Sequence, residues 1–155
     1  MDRVKISLRK ESFYLNEGGA VIGDICFSVA DDWYFPEKDW DDFVVRILYW
    51  ITKSLISLIF KENQPQETPF MEGTFKVSIY LNEKEQCTIN FIEGEKFFGD
   101  KEIIHKTTTV PFESVKSEVL KACELLLKMK ESKELDFEYD YEKLKESYEM
   151  LCKCQ

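Results

Sequence analysis

Apolar and polar residues alternate along several stretches of this chain, which is typical of β-strands with one buried face. The period is clear at the start of the chain, over residues 4–9. It recurs in three later stretches, 21–29, 75–81 and 87–91. We expect a longer hairpin loop over 93–100. The segment after it, 102–110, is rich in threonine and isoleucine, which favour strands. We therefore predict a mainly antiparallel sheet of about five strands.

Three other stretches have a helical period. In residues 40–60, apolar side chains cover most of the circumference, which predicts a long buried helix that needs cover on more than one side. Its narrow polar stripe includes Arg46 and Lys53, which we expect to pair with carboxylates within the fold. A polar loop is expected over 61–69. Narrower apolar stripes predict two C-terminal helices, over 112–130 and about 141–151. This order of elements predicts an α+β fold in which residues 1–155 form a single domain, with the long helix at its centre.

Just before the predicted central helix, residues 31–42 (DDWYFPEKDWDD) hold six carboxylates and four aromatic rings. We call this segment the acidic aromatic run. Asp39 is a good N-cap, and Asp41 and Asp42 would lie in the first helical turn, where the helix dipole favours negative charge. A purely structural role would therefore explain half of these acids, and the aromatics could simply close the end of the core.

The remaining acids of the acidic aromatic run lie where the chain leaves the sheet, and such loops often bind partners. Negative charge would steer a positively charged partner to the surface, and aromatic rings would supply the strongest contacts. We predict a partner-binding surface composed of Asp31, Asp32, Trp33, Tyr34, Glu37 and Asp41.

The distribution of charge favours the same kind of partner. The chain has 21 basic and 30 acidic residues, a net charge of −9. The acidic aromatic run has six acids and one lysine, and residues 131–149 have eight acids and three lysines, so each segment carries −5. Two acidic surfaces on a nearly neutral body disfavour nucleic acid and anionic membranes and favour a basic protein. The alternative is that the acids only keep the chain soluble.

The cysteines predict a reducing compartment. There are five, an odd number, and Cys26, Cys87 and Cys123 fall on apolar positions of predicted elements, so we expect reduced thiols. The charged start of the chain lacks the apolar stretch of a signal peptide, and charged residues interrupt 43–60, so neither resembles a membrane segment. We expect a cytoplasmic protein.

The sequence shows no catalytic or cofactor-binding motif that is as distinct as the acidic aromatic run. His105 is the one histidine, and we expect it to be a surface or strand-pairing residue, without the spaced partners of a metal site. Cys152 and Cys154 lie near the C-terminus, without the spacing of a zinc knuckle. The glycines match no phosphate-binding loop. We therefore expect a binding protein that needs no cofactor or metal, not an enzyme.

The stretches 32–45 and 70–77, with the leucine-rich helix between them, resemble small bacterial immunity proteins of contact-dependent and polymorphic toxin systems. The resemblance is one of pattern and size, and a weaker echo follows at 109–112. It implies stoichiometric neutralisation of a cognate toxin, often a nuclease. The acidic segments would then occupy the place of the phosphates that such a toxin attracts.

Two other classes of function fit the same composition. A regulatory or scaffold subunit, or a homo-oligomeric structural protein, would bind through an apolar patch or a dimer interface. A hydrolase with an unrecognised site would show a deep pocket with strongly shifted carboxylates or with His105 at its floor.

Overall fold

The structure is a computed structural model that describes residues 3–62, 64–94 and 101–154. The fold is α+β, and its strands form two antiparallel sheets of four strands each. The strands are β1 (Val4–Leu15), β2 (Val21–Val29), β3 (Trp33–Phe35), β4 (Asp41–Phe43), β5 (Gln66–Pro69), β6 (Phe75–Leu81), β7 (Gln86–Gly94) and β8 (Glu102–Pro111). The helices are α1 (Val44–Ile59), α2 (Phe112–Glu131) and α3 (Tyr141–Lys153).

The first sheet, sheet A, is built around β2, every residue of which is buried. One edge of β2 pairs with β1 from Val29 to Asp24 and again at Ile22 and Val21, with an irregularity in β1 between Arg9 and Tyr14. The other edge pairs with two short strands, β3 beside Phe27–Val29 and β4 beside Ile22–Asp24. Because β3 and β4 belong to the acidic aromatic run, that run lies along an edge of this buried strand.

The second sheet, sheet B, is a meander in the order β5-β6-β7-β8. Strands β6 and β7 pair in a regular register along the whole of β6. Between β7 and β8 the register slips by one residue, so that His105 has no direct partner. The predicted hairpin loop over 93–100 lies outside the described residues from 95 onward.

Helix α1 lies at the centre of the molecule, as its apolar circumference predicts. It contacts both sheets and both later helices. The core around it joins residues from all of these elements, and several of its side chains are completely buried, among them Leu48, Leu55 and Leu58. Helix α2 also covers the outer edge of β1, where the amide of Ile6 donates to Glu118 at 3.4 Å.

The two sheets are joined by a cluster of aromatic rings. Phe35 of β3 is 2 % exposed, and its ring centroid lies 5.3 Å from Phe91 of β7 and 5.6 Å from Phe75 of β6. Phe27 of β2 adds an edge-on contact to Phe91 at 5.7 Å. These rings fill the space where sheet A faces sheet B.

The structure corrects the predicted start of the central helix. Helix α1 begins at Val44, its N-cap is Phe43 without a side-chain cap, and its first turn contains no acid. Asp39 is therefore not the cap, and Asp41 and Asp42 belong to strand β4. The physical reason is that the backbone of 41–43 pairs with β2, which satisfies peptide groups that a helix would otherwise bond internally.

Three further expectations differ in detail. The five predicted strands divide between two sheets, because β3 and β4 pair with the edge of β2 at which a single sheet would have continued. Strand β5 adds a fourth strand to sheet B. The first strand continues to Leu15, beyond its predicted end. The segment Lys61–Pro69, predicted as a loop, ends in β5. All five predicted strands are present.

Candidate functional site

The acidic aromatic run touches sheet A at two separate places. Trp33 pairs with Val29 at one end of β2, and Asp41 pairs with Asp24 near the other end. Val29 lies five positions after Asp24, a distance of about 17 Å at the usual rise of a strand. The predicted partner-binding residues therefore do not form one cluster but divide into two groups.

The first group lies at the turn between β2 and β3. Ala30 and Asp31 both have left-handed backbone angles, with φ of 55° and 63°. The Asp31 side chain is 66 % exposed and forms an ion pair with Lys5 at 2.8 Å. The hydrogen bond from Lys5 lowers the pKa of Asp31 below its usual value. Asp32 is also exposed, so this turn offers two carboxylates, one of which already has a cation.

The aromatic members of the first group are largely engaged within the fold. Trp33 stacks on Phe35 at 5.9 Å and meets Phe91 edge-on at 5.1 Å. Tyr34 is half-buried, with the Lys38 ammonium 5.7 Å from its ring centroid. Trp33 therefore contributes to the contact between the sheets, and only part of each ring faces solvent.

The second group lines an open groove of about 510 Å³ between the end of β1, strand β4 and the loop before β6. We call it the acidic groove. Five of its lining residues are acids, three are aromatic and none is basic. The lining residues are Tyr14, Asn16, Ile22, Glu37, Asp39, Trp40, Asp41, Asp42, Phe43 and Glu72.

Asp42 holds the walls of the acidic groove together. Asp42 is only 1 % exposed. One of its carboxylate oxygens accepts hydrogen bonds from the Trp40 indole at 2.9 Å and from the Glu72 amide at 3.0 Å. The other oxygen accepts from the Phe43 amide at 2.7 Å. Since Trp40 also packs edge-on against Phe75 at 5.3 Å, the carboxylate fixes the indole and the loop of Glu72 together.

The other four acids of the groove point to solvent. Glu37, Asp39, Asp41 and Glu72 are all exposed. None of the four forms an ion pair with a residue that the structure describes, in contrast to Asp31. The nearby guanidinium of Arg9 donates instead to Asp24 at 2.7 Å, and this hydrogen bond raises the pKa of Arg9.

The other chemically reactive residues that the structure describes do not lie together in one site. His105 is exposed on β8, with Nε2 2.8 Å from Glu93. Burial raises the pKa of Cys87 and of Cys123 to about 12, so both thiols stay protonated at neutral pH. Among the described residues, no group of histidines, cysteines and acids is arranged to hold a metal ion. The described residues also include no helix of sufficient length and apolarity to cross a membrane.

No protein-family model, curated protein or solved structure matches this chain.

Sequence reasoning found only part of the acidic groove. Glu37 and Asp41 were expected in a partner-binding surface, and Asp39 was expected to cap a helix. Tyr14 and Glu72 were missed, because they come from distant parts of the chain. The one signal in the sequence was Gly73, next to Glu72, because glycine favours tight turns. In the structure Gly73 has a φ of 69°, in a turn before β6.

Proposed function

We propose that this chain is a binding protein that holds a basic protein in the acidic groove, in the manner of an immunity protein that neutralises a toxin. The observation that carries the proposal is the set of four exposed carboxylates in one groove, none of which forms an ion pair with a described residue. Folded proteins commonly place opposite charges near such clusters, as Lys5 does for Asp31 here. A partner's lysines or arginines would supply the missing charge.

The geometry of the groove suits a cationic side chain. A concave surface of one sign concentrates the electrostatic potential and raises the rate of encounter with an oppositely charged partner. Tyr14 is 53 % exposed, so its ring could pack against the stem or the guanidinium of an arginine. Asp42 is already satisfied inside the protein, which leaves Glu37, Asp39, Asp41 and Glu72 for the partner.

The toxin partner is the more specific part of the proposal. Many toxins attack nucleic acid and therefore carry a basic active-site surface that attracts phosphates. A groove with four exposed carboxylates would compete for that surface and block it stoichiometrically. The resemblance of residues 32–45 and 70–77 to immunity proteins supports the same kind of partner.

The test compares two charge reversals of equal size. The groove variant Glu37→Lys/Asp41→Lys and the turn variant Asp31→Lys/Asp32→Lys each change the net charge by the same amount. Tagged wild type and both variants are used to capture partners from extracts of the native cell at about 50 mM and about 500 mM salt. We expect wild type and the turn variant to retain one basic protein near 1:1, and the groove variant to lose it by at least about tenfold.

The retained protein is then expressed alone and together with each form of this chain. A toxin would arrest growth unless wild type or the turn variant is present, and the groove variant would fail to protect. A basic but harmless partner would instead identify a regulatory or scaffold subunit. Undiminished capture by the groove variant, with its fold intact by circular dichroism, would remove the acidic groove from the interface.

A further inference from the structure

The hairpin of β1 and β2 separates the acidic groove from a second depression. Tyr14 and Leu15 are the last two residues of β1, and successive side chains of a strand point to opposite faces. Tyr14 lines the acidic groove, and Leu15 lines a hollow of about 390 Å³ between the hairpin and the segment before α3. We call it the hairpin hollow. Its lining residues are Leu15, Gly18, Gly19, Asp136, Phe137, Glu138 and Tyr139.

The hairpin hollow differs from the acidic groove in its charge. It has two acids, Asp136 and Glu138, and both form ion pairs with Lys130. The four exposed acids of the acidic groove form no ion pair with a described residue. The hollow therefore offers a partner mainly apolar and aromatic contact, whereas the groove offers charge.

Large hydrophobic side chains are exposed on both faces of the hairpin. Tyr14 is 53 % exposed and lines the groove, while Leu15 at 40 % and Tyr139 at 49 % line the hollow. The described part of the chain has five other large hydrophobic residues that are exposed, and none of them lines either depression. Burial of such side chains favours association, and tyrosine is common among the residues that dominate binding.

Both the tip of the hairpin and one wall of the hollow are held in place by the protein itself. At the tip, the amide of Asn16 donates to the carbonyl of Ala20 at 2.9 Å, and the amide of Ala20 donates to the Asn16 side chain at 2.9 Å. The Tyr139 hydroxyl accepts a hydrogen bond from Arg46 at 2.8 Å, and the guanidinium lies 5.3 Å from its ring. A surface that is ordered in advance loses little conformational entropy on binding.

We propose that the tip of the β1–β2 hairpin enters a cleft of the basic partner, which then contacts the acidic groove on one side and the hairpin hollow on the other. This inference rests on the proposed function, which supplies the partner. Charge selects this occupant, because the acidic groove adjoins the tip and would repel acidic proteins and nucleic acid. A flat partner surface would not reach both depressions, since they lie on opposite faces of the hairpin.

The two depressions would affect different rate constants. Exposed charges steer the encounter, so the acidic groove should set the association rate and its dependence on salt. Apolar contacts are made after the encounter, so the hairpin hollow should act mainly on the dissociation rate. Kinetic measurements can therefore separate the two halves of the interface.

The first experiment measures binding by surface plasmon resonance, with the purified basic protein that wild type retains in the capture experiment above. Leu15→Ala/Tyr139→Ala should raise the dissociation rate at least about tenfold and leave the salt dependence of association unchanged. Leu15→Ala alone should act in the same direction, and it keeps the contact between Arg46 and Tyr139. The groove variant should slow association and reduce its salt dependence. The matched control Tyr80→Ala/Met150→Ala shortens side chains 39 % and 49 % exposed outside both depressions, and should bind like wild type.

The second experiment tests whether the partner encloses the tip. Gly18 is exposed, and a Cβ there would lie 3.5 Å from its nearest neighbour, Asn16 Oδ1, which is an ordinary contact. Gly18→Gln should therefore fold normally but weaken binding at least about tenfold, because its side chain would occupy space that the partner needs. Gly18→Ala adds the same Cβ without the reach and should change binding by less than about threefold. Unfolding midpoints by circular dichroism verify that the variants are folded.

These outcomes decide the inference. Faster dissociation of Leu15→Ala/Tyr139→Ala with unchanged salt dependence, together with weak binding of Gly18→Gln, would support it. Wild-type binding by either of these variants, or equal weakening by the matched control, would overturn it and leave the proposed function intact. If wild type retains no basic protein, or the groove variant retains it equally well, the proposed function fails and this inference fails with it.

Discussion

At the scale of single residues, the acidic aromatic run shows that neighbouring carboxylates have different tasks. Asp31 is exposed and pairs with Lys5. Asp41 is exposed, lines the acidic groove and has no cation partner among the described residues. Asp42, next to it, is buried and accepts three hydrogen bonds. Strand geometry explains the contrast between the last two, because successive side chains of a strand point to opposite faces.

We predict that Asp42→Ala destabilises the protein by about 2 kcal/mol, because it leaves three donors without their acceptor. The exposed neighbour provides the control, and Asp41→Ala should change stability by less than about 0.5 kcal/mol. Urea unfolding followed by circular dichroism measures both. Equal effects of the two substitutions would contradict the assignment of the inner and outer carboxylates.

The same segment marks where residue-level reasoning fails. Asp39 has the residue type of an N-cap, but its φ of 57° and the following strand place it outside the helix. The deciding interaction is the pairing of β4 with Ile22–Asp24, about twenty residues earlier in the chain. Local propensity contains no information about such a pairing.

At the scale of elements, Arg46 ties α1 to the segment that precedes α3. Its guanidinium donates to Asp140 at 2.6 Å and to the hydroxyl of Tyr139 at 2.8 Å. It also lies 5.3 Å from the ring of Tyr139 and 5.7 Å from that of Trp50. The Asp140 side chain is only 5 % exposed, and Arg46 is its one ion-pair partner among the described residues. The pairing of Arg46 with a carboxylate within the fold was expected from the sequence; Lys53, for which the same was expected, is exposed and forms no ion pair with the described residues.

We predict that Arg46→Ala costs about 2 to 3 kcal/mol, because it leaves a nearly buried carboxylate without its cation. Arg46→Lys should keep only part of the stability that Arg46→Ala loses, since an ammonium cannot reproduce the planar hydrogen-bonding geometry of a guanidinium. A double-mutant cycle with Asp140→Ala measures the coupling by chemical unfolding. Strictly additive effects would show that the pair contributes nothing beyond its separate residues.

The elements that sequence could predict are those long enough to show a period. Five strands and three helices have seven or more residues each and were expected near their observed places. The strands that were missed, β3, β4 and β5, have three or four residues. Such segments are too short to show alternation, and only their neighbours in space define them.

At the scale of the whole molecule, the unpredicted feature is that the strands form two sheets. Each predicted hairpin fixes pairing between neighbours in sequence, but nothing local states whether β2 continues to β6 or ends at β3 and β4. The acidic groove depends on this outcome, because it combines the end of β1 with the loop before β6. Only some of the residues that line the groove could therefore be predicted from the sequence.

The aromatic cluster between the sheets leads to a prediction about cooperativity. Phe35 contacts Phe91 and Phe75 of sheet B from a strand of sheet A. Phe35→Ala should destabilise the protein by about 3 to 5 kcal/mol, because it removes a buried ring and leaves a cavity. If the cluster makes the two sheets one cooperative unit, hydrogen exchange should accelerate by a similar factor, at least about 100-fold, in both β2 and β7.

Phe60→Ala provides the control, since Phe60 is 61 % exposed and should change exchange little in either sheet. Exchange is followed by mass spectrometry on peptides that cover each sheet separately. Acceleration confined to β2 would show that sheet B keeps its own stability, and that the rings only fill space between two independent units. Acceleration in both would mean that the acidic groove, which draws on both parts of the chain, opens only when the whole fold does.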